Sequence, residues 1–206
     1  MTQTKMTQTK QRFLSFDEYL SYNDGTETLY ELFNGELIAV PPESGLNVEI
    51  ANFLFSIFLP IVGYRRVRGH GLELEVRGEP RNRYPDLTII RAEHVEQLQR
   101  RNTIRFAMAA PLLVIEIVSP GELQRDRDYT AKRMQYQDRG IPEYWIVDPQ
   151  LKTVLVLALL NDVYTEVATF GGRDSLGESS LQSSQFGELS LTVQQIFAAD
   201  QPDVSG

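Results

Sequence analysis

The fold is decided by two short stretches, YPDLTII at residues 84–90 and LLVIEIVSP at residues 112–120. Each contains a β-branched, apolar run of the length that forms a buried central strand. Each also carries one acid, because Asp86 precedes the first run and Glu116 lies inside the second. Neighbouring strands of one sheet would bring these acids together. The sequence therefore predicts a site with two carboxylates on a buried sheet.

Glu116 requires a physical explanation, because Ile115 and Ile117 flank it within an otherwise apolar strand. A buried carboxylate is costly unless it is paired or coordinates a metal ion. Two interpretations are open: a ligand of a divalent cation, and an acid in a salt bridge with a buried arginine. We favour the cation ligand, since unpaired acids are rare in such strands.

Composition indicates one domain. The 206 residues, 42% of them hydrophobic, suffice for one sizeable core, and a second independent domain would be cramped. We therefore expect a disordered leader at residues 1–11, a single domain at 12–200 and a short tail at 201–206. The leader contains an exact tandem of Met-Thr-Gln-Thr-Lys, to which we assign no function.

The chain contains no cysteine, which restricts the possible metal sites. Without thiolates, a metal ion would be held by oxygen atoms or by His70 and His94. That ligand set favours a hard cation such as Mg²⁺. The N-terminus is polar, and no apolar run approaches the roughly 20 residues of a membrane span. We therefore expect a cytoplasmic protein without membrane contact.

Charge is distributed unevenly along the chain, whose net charge is −8. The segment from Arg65 to Arg139 holds 15 of the 20 basic residues and 11 of the 28 acids, a balance of +4. The net charge argues against indiscriminate nucleic-acid binding, whereas the basic segment contains the predicted site. This asymmetry is compatible with a phosphate-facing groove, although scattered arginines are more often a solvated surface.

The remaining patterns indicate a mixed α/β fold. Asn34-Gly35 is a strong signal for a two-residue hairpin turn between strands. Predicted helices cover residues 13–22, 44–61, 92–101 and 126–139. Further predicted strands cover residues 29–33, 36–40, 64–69, 72–77, 144–147, 153–160 and 163–170.

Two spacings predict which side chains share a face. Glu73 and Glu75 alternate with apolar residues, which predicts a half-exposed strand. On the helix over residues 126–139, Asp128, Lys132 and Tyr136 are spaced four residues apart, so they lie along one face.

Several motifs follow one another in order: Tyr-Pro-Asp at 84–86, Glu-Ile-Val-Ser-Pro at 116–120, Lys132 with Tyr136, and Gly-Ile-Pro-Glu-Tyr-Trp-Ile-Val-Asp-Pro at 140–149. In this combination the chain resembles the Uma2 family. That family, formerly a domain of unknown function and abundant in cyanobacteria, is placed in the PD-(D/E)xK nuclease superfamily. The resemblance implies a restriction-endonuclease-like core, with a central mixed sheet flanked by helices, and a metal-dependent DNA endonuclease activity.

The resemblance also implies where a metal would bind. Asp86 and Glu116 would hold Mg²⁺ or Mn²⁺, joined by the backbone carbonyl of Ile117. Val118 stands where the superfamily usually has its lysine, two residues after the glutamate. Lys132 is the natural substitute, because its long side chain could reach the scissile phosphate or the attacking water. The alternative for this lysine is a salt bridge with the acid four residues before it.

An acid from an early element often completes the site in this superfamily. Glu36 best matches the family's Gly-Glu after the hairpin turn, and Glu31 and Glu49 are alternatives. The competing interpretation is that Glu36 has no role in the site and lies on an ordinary strand surface. Family members often carry a histidine near Asn47, and its absence here leaves that position without a predicted role. Three aromatic residues could stack on bases or, as is commoner at strand spacing, form core: Tyr136, Tyr144 and Trp145.

Three functions are compatible with these residues. The first is a metal-dependent DNA endonuclease that acts as a homodimer, because cutting two strands with one site per chain favours two-fold symmetry. The second is a nuclease-fold module that no longer cuts and binds nucleic acid or another partner. The third is a small-molecule phosphodiesterase. Intact Asp86, Glu116 and Lys132 favour the first over the second.

Overall fold

The computed structural model describes residues 12–172 and 180–198, so the expected leader at 1–11 and tail at 201–206 lie outside the described residues. The strands are β1 (Tyr30–Phe33), β2 (Glu36–Ala39), β3 (Val67–Gly69), β4 (Glu73–Glu75), β5 (Asn82–Arg83), β6 (Leu87–Ile89), β7 (Thr103–Ile104), β8 (Leu113–Ile117), β9 (Glu143–Asp148), β10 (Thr153–Leu160) and β11 (Val163–Gly171). The helices are α1 (Phe16–Leu20), α2 (Gly45–Val62), α3 (His94–Gln97), α4 (Glu122–Asp126), α5 (Arg133–Asp138) and α6 (Val193–Ala198).

A six-stranded sheet organises the fold, with the strand order β11-β10-β9-β8-β6-β3. Strands β8 and β9 run parallel and the other neighbours are antiparallel, so the sheet is mixed, as predicted. Strands β6 and β8 are neighbours, with Leu87 opposite Ile115. Extending this register by one residue places Asp86 opposite Glu116, so the fold brings the two acids side by side.

Both faces of this sheet are buried at its central strand β8. On one face, Ile115 and Ile117 of β8 pack in a core with side chains of α2 and α6. On the other face, Val114 and Val118 pack with aromatic residues of α5 and β9. Because side chains alternate along a strand, Glu116 projects between these two valines. The acid therefore faces the helical segment that carries Lys132.

The helix predicted over residues 126–139 differs in two respects. It begins earlier, at Glu122, and its middle segment, Arg127–Lys132, is π-helical, joining α4 to α5. A π-helical turn has no signature in hydrophobic periodicity, so the sequence could not predict it. The predicted shared face is present, since Asp128, Lys132 and Tyr136 are all buried on the side facing the sheet.

The helix predicted over residues 92–101 is reduced to one turn, α3, and its histidine is structural. His94 is fully buried. Its Nδ1 accepts a hydrogen bond from the N–H of Arg91 at 3.3 Å, and its Nε2 lies 3.0 Å from the carbonyl oxygen of Ala109. Burial lowers the pKa of the imidazole. His94 therefore ties two loops together and is not available as a metal ligand.

The predicted hairpin is present, and β1 pairs with β2 so that Phe33 lies opposite Glu36. Asn34 and Gly35 form the turn with φ of 48° and 78°, the left-handed values that a two-residue turn of this type requires. The hairpin and α1 enclose a small aromatic core that includes Phe16 and Tyr19.

Glu73 is buried, contrary to the half-exposed strand predicted for it. Strand β4 is the middle strand of a small sheet, β5-β4-β7. There the carboxylate of Glu73 accepts hydrogen bonds from Asn82 Nδ2 at 2.7 Å, Thr103 Oγ1 at 2.6 Å and Arg101 Nη2 at 3.3 Å. The predicted exposure of Glu73 is therefore wrong, because hydrogen bonds from neighbouring side chains take the place of contacts with solvent.

Helix α2 is the long helix of the first core. Ser44 caps its first turn by accepting a hydrogen bond from the N–H of Asn47 at 3.2 Å, and Ile50, Leu54 and Phe58 bury its inner face. Its 18 residues have a mean hydropathy of 1.7, so length and composition alone would let it cross a membrane, contrary to the sequence expectation. Core helices of globular proteins meet the same two criteria.

A buried acid at the start of β9 anchors the C-terminal segment. The Oε1 of Glu143 accepts a hydrogen bond from Trp145 Nε1 at 2.6 Å. Its Oε2 accepts hydrogen bonds from the N–H and O–H of Ser184 and from the N–H of Gln185. Glu143 is fully buried, so these donors replace the solvent that the carboxylate loses.

We expect Glu143→Ala to destabilise the protein by about 3 kcal/mol or more, because each buried donor left without an acceptor costs about 1–3 kcal/mol. Urea unfolding, followed through the fluorescence of the only tryptophan, Trp145, measures the effect. Glu188→Ala is the matched control, because that acid is exposed in the same segment. Equal midpoints for the two variants would contradict the anchoring role.

Candidate active and metal-binding site

Asp86 is a buried acid with one hydrogen bond. Its side chain lies just before β6 and is 6% exposed. Oδ2 accepts a hydrogen bond from the N–H of Ile117 at 2.7 Å, whereas Oδ1 has no hydrogen-bond partner among the described residues. A carboxylate so weakly satisfied is costly when buried. Its free oxygen is therefore available to a ligand.

Glu116 lies in the middle of a buried network. Its Oε2 is 2.7 Å from Lys132 Nζ, and its Oε1 accepts a hydrogen bond from the hydroxyl of Tyr136 at 2.5 Å. Lys132 Nζ also lies 2.8 Å from Asp128 Oδ1. Lys132 thus contacts both Asp128, its predicted salt-bridge partner on the same helical segment, and Glu116, the acid of the predicted site.

The electrostatics of these groups favour an additional cation. Burial raises the pKa of Asp86 well above its ordinary value, with further increases from Glu116 and Glu43 that Lys132 partly offsets. Burial also raises the pKa of Glu116, against the opposing effect of Lys132. Burial acts to lower the pKa of Lys132, but Glu116 and Asp128 together raise it above its ordinary value, so the ammonium stays protonated. One buried lysine thus faces several acids.

A cavity of about 90 Å³ opens onto these groups. It is lined by charged side chains from five parts of the chain: Glu31, Glu43, Asp86, Glu116, Arg127 and Lys132. Of the early acids considered from the sequence, Glu31 lines the cavity, although it is also paired with Arg83 at 3.1 Å. Glu36, at the turn end of β2, and Glu49, on the exposed side of α2, do not line it.

Glu43 was not predicted as a site residue, and His70 was named only as a possible metal ligand in a chain without cysteine, yet both lie beside Asp86. One ligand atom from each of Glu43, His70 and Asp86 lies within 4.8 Å of the others, the spacing that a single metal ion requires. Glu43 comes from the loop before α2 and His70 from the turn after β3. Neither loop carries a sequence signal for ligation, because their proximity depends on the folded sheet.

Arg127 was also missed. Its guanidinium lines the cavity, and its buried Nε has no hydrogen-bond partner, although it lies 3.8 Å from Asp128 Oδ1. Burial acts to lower the pKa of Arg127, but Asp128 and Glu116 raise it above its ordinary value. The π-helical segment therefore delivers two cations to the cavity, Arg127 and Lys132.

Most of the basic segment has a structural role. Arg101 pairs with Glu73 at 3.3 Å, Arg105 with Glu75 at 2.8 Å, and Arg125 with Asp148 at 2.7 Å. These arginines neutralise acids within the fold, which accounts for part of the charge asymmetry along the sequence.

Asn47 acquires a role that the sequence did not indicate. Its Nδ2 donates hydrogen bonds to the carbonyl oxygen of Ile117 at 3.2 Å and to Ser119 Oγ at 3.0 Å. It therefore fixes the backbone carbonyl that the family resemblance assigns to a metal. The three aromatic residues considered for base stacking are fully buried and form core: Tyr136, Tyr144 and Trp145.

Comparisons with known proteins place this chain in a family. The Uma2 family model, described as "Putative restriction endonuclease", matches residues 16–194. A solved structure from Anabaena variabilis ATCC 29413, described as "a putative nuclease belonging to DUF820", superimposes with a TM-score of 0.64 at 21% sequence identity. The match covers 90% of this chain and 98% of that chain, and at this identity it shows a shared fold. No curated protein matches the chain. Since the family model spans most of the sequence, the chain belongs to the Uma2 family.

Proposed function

We propose that the chain is a metal-dependent DNA endonuclease that hydrolyses phosphodiester bonds in the cavity beside β6 and β8. The observation that carries this proposal is the pair of opposed acids, Asp86 and Glu116, with Lys132 Nζ 2.7 Å from the second. An acid pair and a cation around one cavity are the groups that phosphodiester hydrolysis uses. Family membership supports a nuclease.

The residues present fit a divalent cation. Asp86 Oδ1 has no hydrogen-bond partner among the described residues, and burial together with the charge of Glu116 raises the pKa of Asp86. Asp86, Glu116 and the carbonyl of Ile117 are hard oxygen donors of the kind that Mg²⁺ and Mn²⁺ prefer. A cation there would supply positive charge to stabilise the transition state at phosphorus.

The chain's own groups would orient the reactants. Lys132, protonated and held by Glu116 and Asp128, can donate hydrogen bonds to the attacking water or to a phosphate oxygen. Tyr136 fixes the carboxylate of Glu116 through its hydroxyl. Arg127, whose Nε lacks a hydrogen-bond partner, can bind a phosphate oxygen at the cavity.

We expect Lys132→Met to lower the rate of plasmid cleavage in Mg²⁺ by roughly 10²-fold or more, the scale of such groups in catalysis. Metal binding should persist, because an ammonium is not a ligand. Arg133→Ala is the matched control, since it removes the next positive charge along the chain. If Lys132→Met cuts as fast as the parent, Lys132 serves only as an ion-pair partner.

A plasmid and a small phosphodiester distinguish the candidate substrates. We expect the parent to nick the plasmid, with binding that weakens as salt increases, because DNA contacts release counterions. Cleavage of bis(p-nitrophenyl) phosphate without plasmid nicking would instead indicate a small-molecule phosphodiesterase. If the parent cleaves neither the plasmid nor the small phosphodiester, the chain is a module that no longer cuts.

We expect Asp86→Asn to raise the melting temperature of the metal-free protein at pH 7 by about 2–4 °C for each kcal/mol of repulsion relieved. A raised pKa means that the folded state holds its proton more tightly than the unfolded state, so parent stability falls as pH rises above about 3.8. The difference between variant and parent should therefore shrink towards pH 4. Thermal melts across this range measure it.

The same melts test the ligand assignment. Mg²⁺ or Mn²⁺ should stabilise the parent more than Asp86→Asn, because a ligand that binds the folded state raises the melting temperature more when it binds more tightly. Equal shifts in both proteins would remove Asp86 from the ligand set.

We further propose that two chains associate through β11, the edge strand of the large sheet. Three residues of the hairpin formed by β10 and β11 are exposed and apolar: Leu160, Val163 and Val167. Unpaired strand edges readily accept a second strand. Light scattering should give twice the chain mass of 23.5 kDa, and Val167→Lys should reduce it to one chain. Val48→Lys, at an exposed site on α2, is the control. A single-chain mass for the parent would contradict the dimer.

A further inference from the structure

Three potential ligand residues lie in one row across the large sheet. Strand β3 pairs with β6 so that Gly69 lies opposite Leu87. The next residue on each strand is His70 and Asp86 respectively, so these two are neighbours. On its other side, Asp86 neighbours Glu116 through the pairing of β6 with β8. Asp86 therefore lies between an imidazole and a second carboxylate.

Glu43 completes a second group of ligands on the His70 side of Asp86. One ligand atom from each of Glu43, His70 and Asp86 lies within 4.8 Å of the others. A separate cavity of about 80 Å³ is lined by these three residues and is distinct from the cavity that Lys132 lines. The two cavities meet at Glu43 and Asp86.

The hydrogen bonds of this group leave it able to accept a cation. Asp86 is 6% exposed, and none of the residues that the structure describes donates a hydrogen bond to its Oδ1. Neither ring nitrogen of His70 has a hydrogen-bond partner among the described residues, and the ring is exposed. Glu43 accepts a hydrogen bond from Asn47 Nδ2 at 3.3 Å. Within the described part of the chain, a buried residue with an unpartnered oxygen and an unpartnered imidazole thus have ligand atoms within 4.8 Å of each other.

The ligand types select the kind of ion. Mg²⁺ strongly prefers oxygen ligands and octahedral geometry, whereas an imidazole with carboxylates suits first-row transition ions. The chain has no cysteine, so softer thiolate-binding ions have no ligand here. Glu43 and Asp86 also bring negative charge that a divalent ion would neutralise.

We propose that Glu43, His70 and Asp86 form a second cation site, selective for a transition-metal ion such as Mn²⁺ over Mg²⁺, and that it shares Asp86 with the site beside Glu116. The inference rests on the proposed function only for the occupancy of the site beside Glu116. It makes His70 a specific metal ligand of this chain.

The test counts Mn²⁺ ions bound to the full chain by electron paramagnetic resonance of the free ion. The parent should bind two Mn²⁺ ions per chain, and excess Mg²⁺ should displace one of them. His70→Ala should lose the ion that Mg²⁺ fails to displace, or bind it at least about tenfold more weakly. Because His70 is exposed, the variant should fold, and its metal-free melt checks this.

Two further variants separate this inference from the proposed nuclease activity. Glu116→Gln should weaken the site that Mg²⁺ occupies and leave the Mn²⁺-selective ion in place. Glu49→Gln, which removes an exposed acid from α2 near Glu43, should bind metal like the parent. Retention of the Mn²⁺-selective ion by His70→Ala, or its absence from the parent, overturns the second site. Its loss only in His70→Ala supports the site even if the chain cuts no DNA.

Discussion

The ion pair between Glu116 and Lys132 is the interaction on which the site depends. Glu116 is 1% exposed in the middle of a central strand, where an isolated carboxylate would be prohibitively costly. The ammonium at 2.7 Å and the tyrosine hydroxyl at 2.5 Å make its burial tolerable. The pair also joins the large sheet to the helical segment above it, so the geometry of the candidate site and the tertiary packing depend on one contact.

In the site that we propose, this contact takes the place of a lysine on the strand itself. Val118, two residues after Glu116, is fully buried in the second core, on the same face as the acid. Lys132 reaches this face from the helical segment that covers it, at the end of the π-helical turn. Single π-helical turns are uncommon and occur often at functional sites. Here the segment presents Lys132 to the strand acid while Arg127, five residues earlier, lines the same cavity.

Sequence patterns predicted the parts of the structure that depend on local rules. The buried strands around Asp86 and Glu116, the hairpin at Asn34-Gly35 and the shared face of Lys132 all follow from periodicity, turn chemistry and helical spacing. Glu43 and His70 could not be found in this way, because two loops distant in sequence meet only after the sheet has formed. The alternation of polar and apolar residues along a strand also does not show whether another part of the fold covers that strand. For this reason the sequence predicted a half-exposed face at β4, where Glu73 is buried.

The buried acids of this fold differ in how many hydrogen-bond donors they have. Glu143 is fully buried yet accepts four hydrogen bonds, from Trp145, Ser184 and Gln185. Asp148 is equally buried and is held by Arg125 and by backbone N–H groups.

Asp86 differs from both, because it receives one hydrogen bond, while burial and then the charges of Glu116 and Glu43 raise its pKa. A carboxylate with an unpartnered oxygen can bind a cation without losing a hydrogen bond. The position of Asp86, between Glu116 on one strand and His70 on the other, therefore makes it the one acid of this row through which metal bound on either side would stabilise the fold.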